Sequence, residues 1–346
     1  MVNSDDCGDS IFLDFDRKMG KEKRYETTIP RKLIDCRIKM ELFKLNKEKL
    51  STINSKPFKL EKDIQKVIED NCDELFGLSF VKSEFAINGY RLDSLCFDHE
   101  NNSFVIIEYK KGSSYSVVDQ GYTYLSTMLN NKSDFVLEYN ESTNSNLKRD
   151  EIDWSQSRVL FVSPSFTSYQ KDSINFKDIP FELWQIKRFE NGIIGLNQLI
   201  SNSNESAKSI KGSNKKVLDE VEVYDEDSVL NRTSEEIKEI YFEIKERLSS
   251  WDDVSFKPAR RYISIKKGKK VKVYLNFQSN RIKIHMFRRV DFKGQIERQK
   301  VKFNLDDPKK LFHMKSDNRR EIYEYFMKDK KNFDYLISLF RQKYDS

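Results

Sequence analysis

Residues 104–110 read FVIIEYK, and this stretch decides the fold. Its four leading apolar residues are typical of a buried β-strand. The strand ends in Glu108-Tyr109-Lys110, and because alternate side chains of a strand share a face, Glu108 and Lys110 project together. A charged glutamate at the end of a buried strand costs free energy unless it has a partner or a function. The stretch therefore predicts a strand that carries a site at its end.

The preceding strand, predicted over 90–97, carries Asp93. A hairpin between the two strands can bring Asp93 next to Glu108, where two carboxylates repel unless a cation lies between them. Hard oxygen ligands of this kind suit Mg²⁺. A lysine beside the metal, here Lys110, can orient or deprotonate a water or stabilise charge on phosphorus. These are the parts needed to hydrolyse a phosphodiester.

The Glu-x-Lys spacing alone is a weak signal. It recurs at Glu236-Ile237-Lys238 and at Glu243-Ile244-Lys245, where an amphipathic helical pattern predicts exposed charge without a site. For Asp93 and Glu108 taken singly, surface charge is the alternative interpretation. The three histidines, His99, His285 and His313, are too scattered for a histidine-based site. The sequence contains no GxSxG, HExxH, Walker or GxGxxG motif.

Two helices flank the predicted strands. On the first, predicted over 58–77, Glu61 falls within the apolar stripe while Glu69 is expected to face away. Glu61 either reaches the metal or its water, or stabilises the helix dipole. On the second, predicted over 116–129, Gln120 and Tyr124 share a face. Gln120 can bond the metal water or a DNA phosphate, whereas Tyr124 fits core packing better.

The remaining pattern predicts two folded regions. Further strands over 158–163 and 181–189, with a helix near 168–175, complete an α/β layer with a mixed sheet. The C-terminal region is predicted to be α+β, and begins with a capping-box pattern at 233–236. Its predicted elements are a helix through 237–248, strands at 261–266, 271–277 and 281–287, and helices near 317–328 and 332–344.

The net charge of +6 over 346 residues conceals an asymmetry. Residues 231–346 hold 30 Lys and Arg against 17 Asp and Glu, a difference of +13, whereas residues 1–230 carry −7. Residues 254–290 contain twelve basic and no acidic residues, which favours a footprint for a polyanion over an ordinary solvated sheet face. The nucleic-acid contacts expected there are Arg260, Arg261, Lys266, Lys267, Lys269, Lys270, Lys272, Arg281 and Lys283.

Composition narrows the class of protein. With 38% hydrophobic and 13% aromatic residues the chain is long enough for two globular domains. No apolar run approaches the roughly 20 residues of a membrane span, and no signal peptide is visible. The four cysteines form no CxxC pair, so a disulfide frame or thiolate zinc site is not expected and a reducing cytoplasm fits.

Taken together, these residues resemble the PD-(D/E)xK, or restriction-endonuclease-like, nuclease superfamily. The resemblance covers roughly 58–130: Glu61, then Gly89 to Asp93, then 104–110, then Gln120-x-x-x-Tyr124. The last element resembles the RecB-like branch and the pattern around Leu60–Ile64 the mismatch-endonuclease branch. Leu92 stands where the motif often has proline. The resemblance implies that Asp93 and Glu108 are metal ligands, Lys110 the catalytic lysine, and Glu61 and Gln120 supporting residues.

The whole chain also resembles an uncharacterised bacterial family whose C-terminal domain has no assigned function. That family is sometimes labelled a predicted transport protein, a label that the sequence does not support, since it has no membrane segment and no phosphate-cradling loop. We therefore expect an N-terminal extension at 1–55, an α/β restriction-endonuclease-like domain at 56–200, a polar and acidic linker at 201–228, and a smaller basic α+β domain at 229–346.

The predicted function is a cytoplasmic, Mg²⁺-dependent DNA endonuclease or nickase, for which Mn²⁺ can substitute. A role in genome protection or anti-phage defence follows from the superfamily alone, as does a homodimer, because single-site nucleases of this fold often pair to cut both strands. Two alternatives remain open at this point: a ribonuclease, and a non-catalytic protein that binds nucleic acid or a partner and keeps the nuclease fold.

Overall fold

A computed structural model describes residues 41–111, 116–201, 203–207, 215–290, 303–316 and 320–346. The chain divides into two compact units, up to Ile53 and from Asn54 onward. In the first, strands β1 (Leu42–Asn46) and β2 (Lys49–Ile53) pair antiparallel in a hairpin. This hairpin falls in the predicted extension at 1–55, and residues 1–40 of that extension lie outside the described residues.

The second unit begins with a six-stranded sheet, here called the N-terminal sheet. Its strands stand in chain order, β3 to β8. The pairs β3–β4, β4–β5 and β7–β8 are antiparallel, while β5–β6 and β6–β7 are parallel, so the predicted mixed sheet is confirmed. The elements are α1 (Glu61–Glu69), α2 (Cys72–Phe76), β3 (Ser79–Ile87), β4 (Tyr90–Asp98), β5 (Ser103–Tyr109), α3 (Val117–Asn130), α4 (Lys132–Thr143), β6 (Arg158–Ser163), α5 (Ser168–Ser173), β7 (Phe181–Arg188) and β8 (Ile194–Leu199).

Helices cover both faces of this sheet, and β5 is buried along its whole length. On one face Val105 and Ile107 share a core with Ile64 and Ile68 of α1. On the other face Phe104 and Ile106 join a core with α3 and α4. Gly121 lets α3 approach β7 closely, since a Cβ there would lie 2.6 Å from the Phe181 ring. The apolar run at 104–107 is thus explained by burial on both sides.

Three features of this half were not predicted. The helix expected over 58–77 is two helices, because α1 ends at Glu69 and α2 starts at Cys72. Helix α4 buries only Phe135 and Tyr139, which is too little apolar periodicity to reveal it in the sequence. Strand β8 lies at the sheet edge without a single fully buried residue, so it lacks the alternation that marks a half-buried strand.

Part of the segment predicted as a linker is packed. In helix α6 (Lys215–Glu220) and just beyond it, Val217, Leu218 and Val221 are buried in the core of the N-terminal sheet. A short helix, α7 (Glu226–Leu230), follows. The domain limits at 56, 200 and 229 stay predictions. Residue 202 and residues 208–214 lie outside the described residues.

The rest of the chain builds a second six-stranded sheet, the C-terminal sheet, in the order β13-β14-β12-β11-β10-β9, with every pair antiparallel. Its inner face shares a core with helices α8 and α9. The elements are α8 (Glu235–Leu248), β9 (Val254–Ala259), β10 (Tyr262–Lys267), β11 (Lys270–Gln278), β12 (Arg281–Val290), β13 (His313–Ser316), β14 (Arg320–Met327) and α9 (Phe333–Asp345). No helix in the described ranges is both long and apolar enough to cross a membrane.

The prediction of a helix near 317–328 is wrong. Residues 320–327 form strand β14, which pairs with both β12 and β13. The aromatic residues and the β-branched Ile322 of this segment favour a strand. The spacing of its apolar residues fits either a helix or a strand, and pairing with β12 and β13 makes it a strand. Residues 317–319 lie outside the described part. The edge strand β9, which contains Pro258, and strand β13 were also not predicted, whereas the helix expected over 332–344 is confirmed as α9.

Buried charges join the two sheets. Arg158 donates to Asp98 at 2.9 Å and pairs with Glu182 at 2.9 Å, with all three side chains largely buried. Nearby, Lys266 of β10 pairs with Glu100 at 2.9 Å. Burial alone would raise the pKa of Asp98, but the charges of Arg158 and Lys257 hold that pKa well below its usual range. Ionised Asp98 therefore stabilises the fold.

Because of this network, we expect the free energy of unfolding to fall at acidic pH. A carboxyl whose pKa is lower in the folded than in the unfolded state contributes stability above its unfolded pKa and loses it as pH falls. We expect Asp98→Asn to lower the free energy of unfolding at pH 7 by on the order of 3 kcal/mol. We also expect its unfolding free energy to fall less steeply than the wild type's between pH 5 and pH 2. Urea unfolding at several pH values measures both.

The matched control is Asp70→Asn, which removes an exposed carboxylate that pairs with Lys66 at 3.8 Å. Such a surface pair contributes well under about 1 kcal/mol. Equal losses in the two variants, or an unchanged acid limb in Asp98→Asn, would contradict the assignment.

Candidate metal centre

Asp93 and Glu108 meet where strands β4 and β5 part. The ladder between these strands ends at the Ser94–Ile107 pair, so the next residues outward are Asp93 and Glu108. Asp93 Oδ2 accepts a hydrogen bond from the main-chain N–H of Tyr109 at 2.9 Å. The Asp93 carboxylate is thereby fixed against the main chain between Glu108 and Lys110.

Glu108 is buried at the end of its strand, with only 5% of its side chain exposed. Its Oε1 accepts from Lys110 Nζ at 2.8 Å and from Gln120 Nε2 at 2.6 Å. Its Oε2 is also buried, yet accepts no hydrogen bond from any described residue. A buried carboxylate oxygen without a donor is costly, and a water or a cation is the partner that would satisfy it.

The electrostatics of the pair point the same way. Burial, reinforced by the negative charge of Glu108, raises the pKa of Asp93 to about 7. The Tyr109 N–H and the Lys110 ammonium oppose this rise without cancelling it. A cation between the two carboxylates would remove their repulsion and satisfy Glu108 Oε2. The residues present therefore fit a divalent metal ion with oxygen ligands.

The ligand set from side chains is small. Within the described residues no group of three or more His, Cys, Asp and Glu side chains converges on one point. Two carboxylates with water filling the other positions suit Mg²⁺, which keeps several waters when it binds to proteins.

Helix α3 supplies Gln120 and Tyr124, placed as their four-residue spacing predicted. Besides Glu108, Gln120 Nε2 donates to Tyr124 Oη at 2.7 Å. Tyr124 is 6% exposed, so its role is core packing, and burial together with Glu108 raises its pKa. Gln120 thus reaches the site by holding Glu108, and a contact with a metal water or a phosphate stays a prediction.

Glu61 lies at the border of the site. It is the first residue of α1 and is exposed, and its Oε1 accepts from the Lys111 main-chain N–H at 2.6 Å. This bond ties α1 to the residue that follows Lys110. Both earlier interpretations of Glu61 stay open, because the same position also stabilises the helix dipole.

The prediction that Glu69 faces away is wrong. Glu69 Oε1 accepts from Ser94 Oγ at 2.5 Å and from Gln65 Nε2 at 2.9 Å. Gln65 Nε2 also lies 3.1 Å from the Asp93 main-chain oxygen, and Ser94 Oγ lies 2.9 Å from Tyr109 Oη. This polar cluster supports the strand positions next to Asp93 and Glu108. The signal for it was the i, i+4 spacing of Glu61, Gln65 and Glu69 along one face of α1.

The basic residues predicted to bind nucleic acid do not share one environment. Several are held by other groups of the protein: Lys266 by Glu100, Lys267 by Asp345 at 3.8 Å, and Lys283 by Glu324 at 2.7 Å. Lys272 is buried and donates to the main-chain oxygen of Ser346 at 2.5 Å.

Two more of these cations lie over aromatic rings. Lys269 Nζ lies 5.2 Å from the Phe76 ring centroid and 5.5 Å from that of Trp184, and Arg281 stacks on Phe326 at 4.5 Å. Arg260, Arg261 and Lys270 are exposed. A nucleic-acid role for the nine residues stays a prediction, and the structure concentrates free charge at the exposed ones.

Comparison with solved structures gives partial likenesses. One is a repair endonuclease from Pyrococcus abyssi, with 19% identity and a TM-score of 0.20, covering 35% of this chain and 45% of that one. A second is an EndoMS–dsDNA complex, with 15% identity and a TM-score of 0.20, covering 42% and 64%. A third is SfsA of Pyrococcus furiosus with Ca²⁺, with 12% identity and a TM-score of 0.22, covering 43% and 76%.

At the level of sequence, no family model matches the chain. A protein of Haemophilus influenzae described as uncharacterized is 39% identical over 318 residues, which covers 88% of this chain and 99% of that protein. Identity at this level over nearly the full length of both chains means that they share one fold and one ancestor. The chain belongs to the same family as this uncharacterized Haemophilus influenzae protein.

Proposed function

We propose that the protein is a metal-dependent phosphodiesterase that cuts or nicks DNA, built on a restriction-endonuclease-like α/β core. One observation carries this proposal: Glu108 Oε2 is buried and accepts no hydrogen bond from any described residue. Glu108 also interacts with both Asp93 and Lys110. A carboxylate pair that needs a cation, with an ammonium group at hydrogen-bonding distance from one carboxylate, suits hydrolysis of a phosphodiester.

Asp93 and Glu108 would hold the metal ion, Mg²⁺ with Mn²⁺ as a substitute. When bound, such an ion stabilises charge on a phosphate and lowers the pKa of a bound water. The chain's contribution is to fix its own oxygens in advance. The Tyr109 N–H orients Asp93, while Gln120 and Lys110 orient Glu108.

Lys110 is the group suited to act on the reacting atoms. Its side chain is 14% exposed, so the ammonium is shielded but reachable, and it already lies 2.8 Å from Glu108 Oε1. The ammonium there can donate to an attacking water or to a phosphate oxygen, which orients the water or stabilises charge on phosphorus. Glu61 and Gln65 are positioning residues, since they bind the main chain at Lys111 and Asp93.

The test is cleavage of supercoiled plasmid with Mg²⁺ or Mn²⁺. We expect Asp93→Ala and Lys110→Ala each to reduce the rate by at least about 100-fold, because general acid–base and electrostatic groups contribute effects of that size. Calorimetric Mn²⁺ binding gives a second readout, which Asp93→Ala should abolish and Lys110→Ala should retain.

Glu236→Ala and Lys238→Ala form the matched control, because they remove the same Glu-x-Lys pair from helix α8. These variants should cleave at the wild-type rate. Cleavage that persists in the Asp93 and Lys110 variants would overturn the site. Failure of the wild type to cut DNA or RNA or to bind Mn²⁺ would favour a non-catalytic binding protein, and cleavage of RNA alone would favour a ribonuclease.

The site also predicts a conflict between function and stability. Because the pKa of Asp93 is raised to about 7, the fold disfavours its charged form, and this cost grows as pH rises above the unfolded value. Asp93→Asn keeps an oxygen for the Tyr109 N–H and removes the charge. We expect this variant, inactive as a nuclease, to gain on the order of 1 to 2 kcal/mol of stability at pH 8 in EDTA.

Thermal unfolding in EDTA at pH 8 and at pH 5 measures this effect. The gain should shrink at pH 5, where wild-type Asp93 is already protonated. Added Mn²⁺ should stabilise the wild type and leave Asp93→Asn unchanged. A variant less stable than the wild type at pH 8 would contradict the assigned electrostatics.

A further inference from the structure

A cavity of about 330 Å³ lies beside the turn between β9 and β10 of the C-terminal sheet. Its charged lining residues are Arg232, Arg260, Arg261 and Lys283, and the amides of Asn276 and Gln278 line it as well. None of the described residues that line it is an Asp or a Glu. A concave site of this size and single sign suits an anionic group better than a solvated surface does.

The arginines at this cavity are held close together and left available. Arg260 and Arg261 form the two-residue turn between β9 and β10, and both are exposed. Arg232 Nη1 donates to the main-chain oxygen of Arg260 at 3.2 Å, which brings a third guanidinium to the same turn. Within the described ranges, neither Arg260 nor Arg261 has an acidic partner. Three neighbouring cations repel, and a bound anion would relieve that repulsion.

The fourth cation that lines the cavity, Lys283, is held by an ion pair with Glu324. Glu324 is 3% exposed and accepts from Lys283 at 2.7 Å, from His285 at 2.9 Å and from Lys315. Burial alone would raise the pKa of Glu324, but these hydrogen bonds lower it to about 2. Glu324 is therefore buried and neutralised, so it does not oppose an anion at the arginines.

A second cavity, of about 440 Å³, adjoins the same turn and shares Arg260, Arg261 and Asn276. Its lining includes Glu100, Asp150, Glu151 and Asp153, which would repel a phosphate. The second cavity therefore has an acidic lining and the first has none. An anion is favoured at the cavity that Arg232 and Lys283 line.

We propose that Arg232, Arg260 and Arg261 bind one phosphate group of a nucleotide, supplied by a nucleic-acid strand or by a free mononucleotide. Guanidinium groups suit this ligand because their planar donors bind phosphate oxygens in pairs. The amides of Asn276 and Gln278 lie where they can bond the attached sugar or base. The proposal deepens the proposed function, since it locates where the substrate strand is held, but binding here needs neither metal nor cleavage.

The experiment measures binding by the full-length chain in EDTA, where metal-dependent cleavage cannot occur. The probes are a short 5′-phosphorylated single-stranded DNA, AMP and inorganic phosphate. We expect Arg260→Ser with Arg261→Ser to weaken DNA binding by about tenfold or more, because two charge-assisted contacts are lost. The slope of log affinity against log salt should fall by about 1.4, at roughly 0.7 for each single-strand contact.

The matched control is Lys148→Ser with Arg149→Ser. It changes net charge equally at two exposed residues that directly precede Asp150 and Glu151, and it should bind DNA almost as the wild type does. A second variant, Arg260→Lys with Arg261→Lys, keeps the charge and loses the paired donors, so its affinity should fall between the others. Thermal unfolding of each variant separates lost binding from lost folding.

The outcomes are distinct. A loss of DNA affinity that is confined to the arginine-to-serine variant supports the site. If AMP competes with DNA, a free nucleotide is a ligand of the site. If only DNA binds, the ligand is the nucleic-acid strand. Equal weakening in the arginine and control variants, or no binding of DNA, AMP or phosphate at low salt, overturns the proposal. Arginine-dependent binding in a protein that never cleaves with Mg²⁺ would contradict the proposed nuclease function and leave this site standing.

Discussion

The burial of β5 on both faces is the constraint on which the rest of the structure depends. Helix α1 covers Val105 on one face of the strand and helix α3 covers Ile106 on the other. A polar group at the end of this strand is therefore shielded from water and needs partners from the protein itself. Glu108 is the first polar side chain beyond that apolar run and is still buried. Its neighbours come from three places: Lys110 just after its own strand, Gln120 on α3, and Asp93 on the neighbouring strand. Because helices cover both faces of the sheet, the end of strand β5 becomes a buried charged site.

Much of the N-terminal sheet could be predicted from sequence, because its strands carry strong local signals. The limits of β6 agree with prediction, and β4 and β5 pair as the expected hairpin. Prediction failed where tertiary contacts outweigh local pattern. Glu69 lies on the polar side of an idealised helix, yet Ser94 draws it inward. Residues 320–327 have an ambiguous spacing, and pairing with β12 makes them a strand.

The C-terminal half shows what a count of charges leaves out. Twelve basic residues without an acidic one over 254–290 suggest a uniform cationic face. The acids that neutralise them come from distant parts of the chain, such as Glu100 for Lys266 and Glu324 for Lys283. Such pairing is invisible in a local window because it depends on topology. By contrast, Arg260 and Arg261 have no acidic partner among the described residues.

The chain order of the strands has a consequence for biosynthesis. Because β3 to β6 are neighbours both in sequence and in the sheet, Asp93, Glu108 and Gln120 come together through contacts close in the chain. The contact of Lys266 with Glu100 spans 166 residues and has to wait for the C-terminal sheet. Proteins fold from the N-terminus as they leave the ribosome. The residues of the carboxylate centre therefore leave the ribosome well before Lys266, and the order of synthesis allows this centre to form before the basic half docks onto it.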